Sequence, residues 1–275
     1  MKVTLQRGVS LLLAAVLAFG TGCSKLPGGG SPADTGYTRY STQFYDTFDT
    51  IIQVIGYAKT QEEFEGYAGT IHQRFQELSQ LYDRFYEYSG VNNIRTINLN
   101  AGVAPVEVEP ELLEMLSFAK EWCQKTQGRV NIAMGPVLEI WHQYRDQYSG
   151  QALAADAAGA LPSMEALDDA NHFSSLDKVI IDREKGTVFL EDKKMALDVG
   201  AVAKGYAAQL VADEIYEAGF RSFTISAGGN VITKDPPLDG VRNSWGIGIQ
   251  DPFADLNKPD SQSLDVALVS NRCVV

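Results

Sequence analysis

Between residues 61 and 85 the apolar side chains Phe64, Tyr67, Ile71, Phe75, Leu78, Tyr82 and Phe85 return every three or four positions. That is the period of an amphipathic helix with one face against a core. A second helix is predicted from Pro110, a residue suited to the first helical position, with Leu112, Leu113, Leu116, Ala119 and Cys123 inward and Gly128 beyond its end. The same spacing makes Cys123 a core residue. Residues 136–148 carry a shorter helical pattern, and 151–170 read as an Ala-rich surface insertion with another short helix.

Elsewhere the period shortens. TIIQVIGY at 50–57 is rich in β-branched and aromatic residues and predicts a strand. After the insertion, 179–181, 187–190 and 196–199 read as short strands, with a Lys185-Gly186 turn between the first two. A helix is predicted over 202–218, ended by Gly219, followed by strands at 222–226, 231–233, 245–250 and 266–269. The class this predicts is α+β, with helices early and a mainly antiparallel sheet late. No internal repeat is visible.

The 275 residues allow one large domain or two modest ones, and 45% hydrophobic with 21% charged residues is ordinary globular composition. A formal charge of −12 argues against a nucleic-acid partner held by basic steering. Three cysteines, Cys23, Cys123 and Cys273, stand apart without a CxxC or a Cys/His cluster, which removes zinc and dithiol readings. Lys2 and Arg7, an uncharged apolar run over 9–19, and small residues before Cys23 form a leader too short to span a bilayer. It resembles a lipoprotein signal (1–22) with Cys23 as the lipidated residue, although Gly20 stands where such signals usually have Leu. Ordinary secretory cleavage is the alternative. Residues 23–38 have the Gly/Pro/Ser composition of a tether, leaving 39–275 as the folded domain. The expected location is the outer face of the cytoplasmic membrane.

Chemistry is suggested at a few places. DVGAVAKGYA at 198–207 lies at a junction into a helix, where glycines permit close approach and free N–H groups favour an anion. Lys204 adds a point charge for phosphate, and Asp198 can accept from a ligand N–H or hydroxyl. An Asp before a glycine turn is equally an ordinary cap. SAGGN at 226–230 admits either a ligand or a neighbouring strand, and a tight hairpin reads the same way. GRVNIAMGP at 128–136 reads as strand, turn and helix start, with Trp141 beyond it as a core residue. Tyr82, Phe85, Tyr86 and Tyr88 form an aromatic cluster able to stack on a planar ring or simply to pack. His72, His142 and His172 have no telling acidic neighbour in the sequence and are given no role.

Taken in order, Phe48-Asp49-Thr50, the stretch from Asn131 to Trp141, ALDVGAVAKGYA at 196–207, SAGGN at 226–230 and WGIGIQDP at 245–252 together resemble the ApbE family of FAD:protein FMN transferases. The resemblance implies a two-lobed, T-fold-like body. It also implies Mg²⁺-dependent transfer of FMN from FAD to a Ser or Thr hydroxyl of an acceptor protein, with release of AMP, the acceptor being an exported redox subunit. FAD held without turnover, or FAD cleaved by water to FMN and AMP, are the alternatives. Carried over by position, Phe48, Phe85, Asn131, Asp198 and Lys204 contact the nucleotide, and Ala201 offers its carbonyl to Mg²⁺. Asn131 stands where Asp is usual and Phe85 where Tyr is frequent. The family continues past the position of Val275 into a His-His segment and an Asp with Thr/Ser that completes the metal site. The chain is therefore expected to be truncated and weak as a transferase, and no catalytic residue is assigned within it.

Overall fold

The computed structural model describes residues 35–148, 161–254 and 263–275. The leader, Cys23, most of the tether and the first half of the Ala-rich insertion lie outside the described residues. Asp34–Val275 forms one compact unit.

Its larger sheet has five antiparallel strands in the order β1 (Thr38–Thr47), β2 (Thr50–Ala58), β6 (Phe223–Ala227), β7 (Asn230–Lys234), β10 (Cys273–Val274). Helices α1 (Gln61–Tyr82) and α6 (Ala203–Glu217) pack on each other and on these strands. Phe64, Ile71, Phe75 and Leu78 of α1 are fully or almost fully buried, which is the stripe the periodicity predicts. Thr60 caps α1 by accepting from the Glu63 amide. The smaller sheet runs β3 (Val106–Glu107), β5 (Thr187–Leu190), β4 (Val179–Asp182), with α2 (Ile94–Leu99) against β5 and α3 (Pro110–Lys125) against β4. α4 (Gly135–Tyr148) packs with α5 (Met164–Asn171), and β8 (Trp245–Gln250) pairs with β9 (Ser263–Val269) in a separate two-stranded sheet among the described residues. No described helix is long and apolar enough to cross a membrane.

Several elements differ from expectation for local reasons. β1 takes up the end of the expected tether; it is an edge strand with only Phe44 and Thr47 buried, so no apolar alternation marks it. Residues 196–199 are not a strand. The Leu197 N–H donates to Asn98 Oδ1 (2.6 Å) and its carbonyl accepts from Asn98 Nδ2 (3.0 Å), while the Asp198 N–H donates to the Ile132 carbonyl. Side-chain and loop partners thus replace a ladder. The expected strand after Gly128 is likewise a turn, with the Val130 and Ala133 amides held by Thr126 Oγ1 and Asn131 Oδ1. Trp141 is 41% exposed and not a core residue, whereas Cys123 packs half-buried against the core.

Candidate functional site

The sequence pattern carries α1 to Phe85, but the helix stops at Tyr82. Asp83 Oδ1 accepts from the amides of Phe85 (2.6 Å) and Tyr86 (3.2 Å), and Oδ2 accepts from the Tyr88 hydroxyl (2.7 Å). This side-chain turn competes successfully with another helical turn. Burial, with the Asp83 bond second, pushes the Tyr88 phenol up to about 12. The consequence is that Arg84 leaves the helix direction and enters a cleft. There its Nη1 donates to Asp198 Oδ2 (2.5 Å) and lies 3.4 Å from His142 Nδ1, and its Nη2 donates to Glu139 Oε2 (2.7 Å). The guanidinium also lies over the Phe85 ring, 5.1 Å from its centroid.

The facing wall is the start of α6. Asp198 Oδ1 accepts from the Gly200 amide at 2.9 Å, so both of its oxygens are engaged, and its side chain is 9% exposed against 11% for Arg84. Val202 opens α6 without a side-chain cap, and no acidic residue lies in the first turn. The Lys204 and Gly205 amides have no backbone acceptor among the described residues. Lys204 Nζ has no ion-pair partner among them either. An unneutralised cation beside an uncapped helix start favours an anion.

A third wall is the β1–β2 turn. Phe48 and Asp49 both have positive φ (52° and 49°), a backbone that non-glycine residues adopt at a cost. Phe48 is held there by a hydrogen bond that its backbone N–H donates to Ser79 Oγ (3.2 Å) and by ring contacts with Phe75 and Tyr82. Next to the turn, Asp46 accepts from Gln76 Nε2 and lies 2.7 Å from His72 Nε2. Its partial desolvation opposes ionisation, but the Gln76 and His72 bonds outweigh it and hold the carboxyl below its usual range. The walls enclose about 350 Å³.

The cleft gathers Phe48, Phe85, Asp198 and Lys204. It does not gather Asn131, whose Nδ2 donates to the Ser174 carbonyl and whose Oδ1 takes the Ala133 amide, steadying the loop that bonds the Asp198 N–H. Ala201 lines a neighbouring apolar groove of about 490 Å³ with Phe118, Trp122, Val202 and Tyr206. The expected aromatic cluster divides: Tyr82 is buried, while Phe85 and Tyr86 are exposed. SAGGN is the β6–β7 hairpin, and the close approach at Gly228 (φ 58°) is to Thr50 of the neighbouring strand, whose side chain a Cβ would overlap. Sequence reasoning missed Arg84, Glu139 and His142; the Asp at 83, able to end a helix by accepting from later amides, was the available signal for Arg84.

Magnesium does not fit these residues. It requires about six oxygen donors in near-octahedral array. No group of three or more His, Cys, Asp or Glu able to hold a metal occurs among the described residues. Asp198 is already bound to Arg84, and Ala201 faces the groove.

The family model described as the ApbE family matches residues 38–275. A FAD:protein FMN transferase of Klebsiella pneumoniae is 31% identical over 182 residues, covering 64% of this chain and 51% of the relative. One of Treponema pallidum is 26% identical over 207 residues, covering 70% and 54%. The chain thus spans about half the length of these curated relatives. Among solved structures, the ApbE protein of Thermotoga maritima superposes with a TM-score of 0.69 at 19% identity, covering 86% of this chain and 69% of that one. The flavin transferase ApbE of Vibrio cholerae gives 0.68 at 17%, covering 86% and 70%. With the family model spanning all but the first residues of the body and the fold in agreement, the chain belongs to the ApbE family.

Proposed function

We propose that the cleft binds FAD and that the chain serves transfer of its FMN portion to a Ser or Thr hydroxyl of an acceptor protein, with release of AMP. The observation that carries the nucleotide assignment is the Lys204 ammonium, without an ion-pair partner among the described residues, at the uncapped start of α6 in the cleft that Asp198 also lines. Lys204 and the first α6 amides meet phosphate, Asp198 and Arg84 orient the nucleotide, and the exposed face of Phe85 flanks a planar ring. In the transfer, the acceptor oxygen forms a bond to the FMN phosphorus as the bond to the bridging pyrophosphate oxygen breaks. AMP departs with that electron pair, and the hydroxyl proton passes to solvent. Magnesium, which the family resemblance attaches to this reaction, would neutralise the pyrophosphate; the described residues do not make its site, and no step is assigned to it.

A second reading, FAD held without turnover, is favoured by the engagement of both Asp198 oxygens. Incubation of the chain with FAD and an acceptor domain separates the readings. Flavin fluorescence on the denatured acceptor supports transfer, intact FAD supports holding, and free FMN with AMP supports hydrolysis. For placement in the cell, we propose that Cys23 carries a lipid and that the residues after it act as a leash to an exported redox partner. Release of a Cys23→Ser variant from the membrane fraction is the expected outcome, and unchanged sedimentation would overturn it.

A further inference from the structure

We infer that this cleft takes its nucleotide without a divalent cation, because Arg84 already supplies the positive charge at Asp198. The inference rests on FAD as the ligand and concerns how the same site balances its charge. One guanidinium bridges two carboxylates, Asp198 of the cleft wall at 2.5 Å and Glu139 of α4 at 2.7 Å. Of the other carboxylates lining the cleft, Asp46 is engaged by Gln76 and His72, and Asp83 by the Phe85 and Tyr86 amides and the Tyr88 hydroxyl. The Arg84–Asp198 pair is largely withdrawn from water, where attraction between opposite charges is stronger than at a surface. The second Asp198 oxygen is occupied by the Gly200 amide. A divalent ion using Asp198 would have to displace Arg84, whose Nε is buried and already without a partner. That would leave an enclosed cation with less compensation than before. Ala201, the residue expected to offer its carbonyl to the metal, lines the apolar groove. Phosphate then meets Lys204 and the free amides of α6, while Arg84 acts through Asp198 as a positioning residue.

Calorimetric titration of the full chain with FAD, once with EDTA and once with Mg²⁺, tests this. The expected result is the same Kd within threefold. A gain of tenfold or more with Mg²⁺ overturns the inference and leaves the FAD assignment standing; no binding in either condition removes the FAD assignment and the inference with it. Arg84→Gln is expected to bind at least tenfold more weakly in EDTA and to recover part of that with Mg²⁺, whereas Arg84→Lys, which keeps the charge but not the fork, recovers part of the affinity in EDTA and gains nothing further from Mg²⁺. Native affinity of Arg84→Gln in EDTA would also overturn the proposal. Should Arg84→Gln lose its native circular dichroism, the two titrations of the unaltered chain decide alone.

Discussion

Two cavities share the segment that leads into α6, and they differ in kind. Asp198, Val199, Gly200, Ala203 and Lys204 line the cleft, whereas Ala201, Val202, Gly205 and Tyr206 line the groove. The groove is the larger, at about 490 Å³ against 350 Å³. Its carboxylate, Asp213, is bound by Lys234 and Gln209 and offers little to a ligand. The cleft instead brings together charges from four chain segments distant in sequence, at 46–49, 83–84, 145 and 198–204. Convergent polar groups, not volume, distinguish a site. A run of ten residues that reads as one motif is thus divided by the helical turn between two surfaces of unlike chemistry.

The largest effect is expected from Asp198→Ala. It leaves the Arg84 guanidinium enclosed without its closest counter-charge, a loss of about 3–5 kcal/mol. Thermal unfolding should register a fall in Tm of roughly 10 °C, and FAD affinity should drop more than tenfold. A folded variant with native affinity would take Asp198 out of the ligand site and blur the contrast between the cavities. Gly135→Ala comes next. Its new Cβ would lie 2.7 Å from the Ala196 carbonyl carbon, a backbone contact that must yield. Overpacking of this kind costs about 1–3 kcal/mol, and because Ala196 stands two residues before Asp198, affinity should fall with stability. Native values for both would show that the α4 start does not position the cleft wall. Lys204→Ala should change stability by no more than about 0.5 kcal/mol while weakening FAD roughly tenfold, as expected for loss of one charge-assisted phosphate contact. Its FAD affinity should also depend less on salt than that of the native chain; an unchanged affinity and salt slope would move the phosphate elsewhere.

What could be read in the sequence follows the same division. The stripe of α1, the Pro110 start of α3 and the Gly219 end of α6 rest on periodicity and backbone chemistry, which act over one or two turns, and each is found close to its expected place. Asp198 and Lys204 were legible because they sit in one stretch with its glycines. Arg84 was not, since its role depends on Asp83 winning two amides from a continuing helix, and on Asp198 standing opposite after a separation of 114 residues. The absent strand at 196–199 has the same cause: Asn98, far away in sequence, supplies the partners a ladder would otherwise give. Asn131 resembled a ligand contact by position, yet its amide is committed to Ser174 and its oxygen to Ala133.

The smallest expected effect is the one that most sharpens the contrast. Trp122 forms part of the groove wall, 42% exposed, with the Phe118 ring 5.9 Å away and Lys125 Nζ 5.3 Å from its centroid. Trp122→Ala removes apolar contact area that is only partly withdrawn from water, so the expected loss of stability is about 1 kcal/mol, well below that of a core tryptophan. No atom of Trp122 lines the cleft. FAD affinity should therefore stay within twofold of native, measured beside Lys204→Ala in the same titration. If Trp122→Ala instead weakened FAD by tenfold, the nucleotide would have to reach into the groove. Ala201 would then rejoin Asp198 and Lys204 in a single site, and the separation of the two cavities would fail.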